Sequence, residues 1–94
     1  MSELIAAPEI KKWIRKAPEW EVEKKNLTRT IEFDDFMEGI DFVNDVAEIA
    51  EEAQHHPDID IRWCTVNLSV TTHDQGGLTP ADFELAQRID NLLD

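Results

Sequence analysis

The stretch Asp34–Pro57, DDFMEGIDFVNDVAEIAEEAQHHP, carries the clearest periodicity in the chain. At about 100° per residue, Phe36, Ile40, Phe42, Val43, Val46, Ala47, Ile49, Ala50 and Ala53 fill roughly half of a helical wheel. Glu38, Asp41, Asn44, Asp45, Glu48, Glu51 and Glu52 fill the other half. This spacing predicts a helix lying on a sheet by one face. Asp34 or Asp35 can cap its start, and acids in the first turn suit the positive end of the helix dipole. Pro57 stops it, because the residue before a proline is disfavoured in the helical region. Glu51 falls at the margin of the apolar face, next to the Ile40 row, where it can turn toward the protein.

The flanking segments read as strands and shorter helices. Ala7-Pro8-Glu9 opens a first helix with Ile10, Trp13, Ile14 and Ala17 at helical spacing, and Pro18 ends it. Glu19–Lys25 alternates, with Trp20 and Val22 on one side, and Asn26 supports a turn. In Leu27–Phe33, Leu27, Arg29, Ile31 and Phe33 share one parity, so these two strands read as a hairpin. Beyond Pro57, Ile59, Ile61 and Trp63 alternate with Asp60 and Arg62, and Val66, Leu68 and Val70 alternate with Asn67 and Ser69. The link at Cys64-Thr65 lacks Asn-Gly or Gly-Gly turn chemistry, which leaves room for a bulge or a shifted register. His73–Gly77 forms a flexible turn, and Thr79-Pro80-Ala81-Asp82 opens a last helix with an N-cap, a first-turn proline and an acid at the third position. The order α-β-β-α-β-β-α predicts an α+β fold: a four-stranded antiparallel sheet with three helices on one face.

Ninety-four residues make a single domain, 1–94, with one core. The formal charge of -12 and a pI near 4.4 argue against nucleic acid and anionic membranes, and no run of residues approaches a membrane span. Six of the nine basic residues fall in the first 25 positions, which leaves an acidic middle. One cysteine, Cys64, cannot staple the fold, and no secretory signal opens the chain, so a reducing cytoplasmic setting is expected. A small ligand fits this balance best. A domain of this size encloses a large substrate only with a partner subunit, which favours a homo-oligomer.

Chemistry concentrates in the histidines. Two of the three, His55 and His56, follow the middle helix, with Glu51 four residues before the pair. Histidine trades protons near neutrality, so a carboxylate-backed pair is a candidate acid/base site. The competing reading is a solvated helix end whose imidazoles complement the dipole. If the third and fourth strands pair antiparallel, the start of one lies beside the end of the other, and His73 converges on His55 and His56. Zinc or iron is another use for three histidines and a glutamate. Adjacent histidines diverge along a chain, however, and no supporting pattern is visible, so no metal site is assigned.

From Glu51 onward the residues follow a fixed pattern: an acid, three residues, His-His-Pro, five residues, an aromatic, nine residues, a His, and then an Asp. Here these are Glu51, His55-His56-Pro57, Trp63, His73 and Asp82. In this the chain resembles the pterin-4a-carbinolamine dehydratases over nearly its whole length, and Gly77-Leu78-Thr79 is similar to the family's turn before its last helix. The resemblance implies dehydration of 4a-hydroxytetrahydropterin to quinonoid dihydropterin and water, in tetrahydropterin recycling, with no metal or organic cofactor. By carry-over, His55 and His73 are the acid/base residues and His56 holds the substrate beside the leaving hydroxyl. Glu51 would orient His55 or His56, and Gln54, Thr71, Thr72 and Asp74 stand at pterin contacts. Trp63 and Asp82 belong to the same substrate-binding set, although a strand Trp63 also reads as core or pocket wall and Asp82 also reads as a helix cap. The family's fold is similar to that of non-enzymatic dimerisation cofactors and assembly chaperones, which form the alternative. The full histidine set favours the enzyme. The resemblance also implies a homodimer built by joining sheets, or a homotetramer through helices.

Overall fold

The computed structural model describes residues 3–93. Its elements are α1 (Ala7–Ile14), β1 (Glu21–Glu23), β2 (Asn26–Glu32), α2 (Phe36–Ala53), β3 (Asp58–Arg62), β4 (Thr65–Val70) and α3 (Pro80–Asn91), with one 3-10 turn at His73–Gln75. The sheet is antiparallel throughout, in the order β1-β2-β4-β3. The expected α+β architecture is therefore present.

Alternation decides which face the helices cover. Leu27 and Ile31 of β2 and Val66, Leu68 and Val70 of β4 are buried on one side. Thr28, Thr30, Asn67 and Ser69 occupy the other parity and pair with one another across the strands. Over the apolar face lie Phe42, Val46 and Ala50 of α2 and Phe83, Leu85, Ala86 and Ile89 of α3, all buried. From α1, Trp13 reaches Phe83 with ring centroids 5.6 Å apart. Each fully buried large side chain contributes about 1.5–3 kcal/mol of transfer free energy. Arg29 shares the inner parity, and Asp90 of α3 accounts for it. The Asp90 Oδ1 accepts from both the Arg29 guanidinium and Trp20 Nε1–H, which ties the last helix to the sheet and to the loop before β1.

Several local expectations are corrected. Trp20 lies in a turn, its N–H bonded to Ala17 O, so β1 begins only at Glu21. Val22, expected on the inner side, sits on this short edge strand and is 38% exposed. The hairpin turn is Lys24-Lys25, with Lys24 left-handed at φ 58, and Asn26 already pairs with Glu23. β3 ends at Arg62, which pairs with Thr65, so Trp63-Cys64 is a two-residue turn with neither bulge nor shift. Trp63 takes φ 55 there and is 81% exposed, not core. The buried stripe of α2 is narrower than the wheel suggested: Phe36, Ala47 and Ala53 are exposed, because the helix meets the sheet along the Gly39, Phe42, Val46, Ala50 line. Asp35, not Asp34, is the cap, accepting from Glu38 N–H.

Candidate active site

α2 ends in a way that aims the histidines. Gln54 turns left-handed, φ 52, and His55 N–H returns to Ala50 O at 3.1 Å, a six-to-one closure of the Schellman kind. Reversing the chain there points the His55 ring inward, and its side chain is only 17% exposed. His55 Nε2 lies 2.5 Å from Asp82 Oδ1 in the first turn of α3, and Asp82 is fully buried. The other carboxylate oxygen, Oδ2, accepts Thr79 N–H at 2.8 Å and the Thr72 hydroxyl at 2.9 Å. Asp82 thus fills the capping role the sequence suggested and also holds a histidine, which the sequence did not indicate.

His56 points the other way. Its Nε2 lies 2.5 Å from Glu51 Oε2, with side chains 60% and 77% exposed. The expectation that Glu51 turns inward is corrected: it stays in solvent, partners His56 and leaves His55 to Asp82. A contact this exposed is screened by water and contributes little to stability.

His73 follows Thr72 directly, at the start of the 3-10 turn. That turn is closed by bonds from the Gln75, Gly76 and Gly77 N–H groups to Thr72 O, and by Thr72 N–H to Gly77 O. Gly76 needs its freedom here, at φ 75. His73 lines an open cavity of about 230 Å³ with Lys25, Asn26, Thr71, Gly76 and Gly77. Thr71 Oγ1 donates to Lys25 O, joining the end of β4 to the β1–β2 turn. Neither His55 nor His56 lines this cavity, so the three rings do not close around one hollow in this chain. Asp82 connects two of the three, binding His55 directly and the residue before His73 through a hydroxyl. Among the described residues, no group of three or more His, Cys, Asp or Glu is gathered as a metal would require.

Gln54 and Asp74, expected at the ligand, are both exposed and flank this region. Trp63 lies one strand away: five residues of β3 span roughly 17 Å, which puts its ring beyond reach of His55 in the same chain. Thr79, Lys25 and Asn26 were not named as site residues from sequence. The hints of Thr79's place were the capping pattern and the Gly77-Leu78-Thr79 turn before the last helix. The two β1–β2 residues had no signal, because only the tertiary pairing of β2 with β4 brings that turn beside Thr71.

A family model described as pterin 4 alpha carbinolamine dehydratase matches residues 3–92. A relative from Acidobacterium capsulatum, named "Putative pterin-4-alpha-carbinolamine dehydratase", is 53% identical over 76 residues, 81% of this chain and 83% of the relative. One of the same name from Nostoc punctiforme is 45% identical over 92 residues, 98% of this chain and 99% of its own length. Among solved structures, a transcriptional coactivator/pterin dehydratase from Brucella melitensis superposes with a TM-score of 0.91 at 24% identity, covering 96% of this chain and 98% of the other. A pterin dehydratase-like RuBisCO assembly factor of the alpha-carboxysome gives a TM-score of 0.64 at 23% identity, over 78% and 84%.

Proposed function

Because the chain belongs to the pterin 4 alpha carbinolamine dehydratase family, we propose that it dehydrates 4a-hydroxytetrahydropterin to quinonoid dihydropterin, using histidines as acid and base. The observation that carries this reading is the partially buried His55 on a buried carboxylate, two links from the residue that precedes His73. The reaction breaks the C4a–O bond. The hydroxyl takes up one proton and leaves as water, while a ring N–H gives one proton up and its electron pair forms the new C=N bond. No electron is gained or lost overall. Imidazoles suit both transfers near neutral pH. In this reading His55 and His73 move the protons, and His56, steadied by Glu51, holds the substrate beside the leaving hydroxyl. Thr71, Thr72, Asp74 and Gln54 supply polar contacts for a planar ring rich in donors and acceptors.

The likeness to the RuBisCO assembly factor favours one rival, in which the fold serves binding without catalysis. A stopped assay of 4a-hydroxytetrahydropterin breakdown separates the two. The wild type should outrun buffer, and His55→Ala should lose on the order of a hundredfold. His73→Ala should also slow turnover while the far-ultraviolet circular dichroism stays unchanged. A wild-type rate no better than buffer overturns the enzymatic reading and leaves the binding one.

A further inference from the structure

We propose that Thr72 and Thr79 are positioning residues: acting through Asp82, they hold His55 with Nε2–H bound to the protein and leave Nδ1 as the nitrogen that exchanges protons with substrate. Its last clause rests on the dehydratase reading above.

The polarity of the hydrogen bonds carries the argument. Asp82 Oδ2 accepts both Thr79 N–H and the Thr72 hydroxyl, so its two lone-pair positions are filled. Thr72 has one hydroxyl proton, and it is spent on Asp82. The contact between the Thr72 and Thr79 hydroxyls, 2.8 Å, is therefore donated by Thr79. The chain runs one way, from Thr79 O–H to Thr72 O–H to Asp82 Oδ2. Asp82 and Thr79 are fully buried, and no buried side-chain polar atom among the described residues lacks a partner. An ionised carboxylate only accepts, so its remaining oxygen, Oδ1, takes Nε2–H from His55. In the neutral ring this fixes the tautomer, and Nδ1 makes no hydrogen bond to the described residues.

His56 and His73 are not held in this way. The partner of His56 is an exposed glutamate, and the ring of His73 makes no hydrogen bond among the described residues. During turnover Nδ1 of His55 accepts a proton from the substrate ring or, once protonated, returns one to the departing hydroxyl. The Nε2 proton stays on His55, and Asp82 remains an acceptor throughout.

Long-range proton–nitrogen correlation on 15N-labelled protein reads the tautomer of the neutral ring directly. The wild type should show a protonated Nε2 and an unprotonated Nδ1. Thr72→Val removes the donor, and it should mix the two tautomers and lower kcat roughly tenfold. Thr72→Ser keeps the hydroxyl and should restore both readouts. A wild-type His55 protonated on Nδ1 overturns the proposal before any variant is made, as does a Thr72→Val spectrum with the wild-type tautomer. Because the spectra need no substrate, failure of the dehydratase reading is seen separately, as a wild type without turnover.

Discussion

Two carboxylates, each two residues inside the end of its helix, show how burial decides what a side chain does. Glu51 and Asp82 each sit beside a histidine at the same short distance, yet one pair is open to water and the other is sealed. Removing Asp82 takes away a helix cap worth about 1 kcal/mol and leaves buried donors on Thr79, Thr72 and His55 without a partner, at about 1–3 kcal/mol for such a loss. Asp82→Ala should therefore destabilise by on the order of 3 kcal/mol in urea unfolding. A loss under about 1 kcal/mol would mean that water replaces the carboxylate. Glu51→Gln should change stability by no more than about 0.5 kcal/mol, since its partner is exposed. Asp82 was legible as a cap from Thr79-Pro80-Ala81-Asp82 alone. Its grip on His55 was not, because 27 residues separate them and only the docking of α3 beside the end of α2 makes the contact.

Among the elements, the β3–β4 hairpin departs furthest from local expectation. A two-residue turn between antiparallel strands favours left-handed residues such as Asn-Gly, and here Trp63 takes that conformation at a cost of roughly 1 kcal/mol. None of the described residues covers its ring, so Trp63→Asn should stabilise the fold by about 0.5–1 kcal/mol, read as a higher urea midpoint at unchanged slope. A clear loss of stability would show that the ring is buried against something in solution. The alternating pattern extended β3 through Trp63 because periodicity counts parity and does not see where pairing stops. The pairing of Arg62 with Thr65 sets that limit. For α2 more was legible, since the 3.6-residue spacing marked the helix and Asp34-Asp35 its start, but the helix ends at Ala53 with left-handed Gln54, ahead of the Pro57 expected to stop it.

Across the whole molecule, a net charge of -12 bears on a fold whose open sheet face carries Glu21, Glu23, Asp58 and Asp60 around a concavity of about 390 Å³. Like charges held this close repel in the folded state more than in the extended chain. Raising sodium chloride from about 10 to about 150 mM shortens the screening length from roughly 30 to roughly 8 Å. The melting temperature should rise, by roughly 4–8 °C if about 1 kcal/mol is recovered; a calorimetric scan showing a fall would mean that ion pairs such as Arg29–Asp90 outweigh the repulsion. The architecture, the helix-sheet layering and the histidine set followed from the sequence alone, because period and punctuation are local properties that each segment expresses by itself. The partners of those histidines were decided by tertiary structure. Which carboxylate is sealed with His55 and which is left in water depends on how α3 closes over α2 and β4, and burial of this kind is a property of the packed chain.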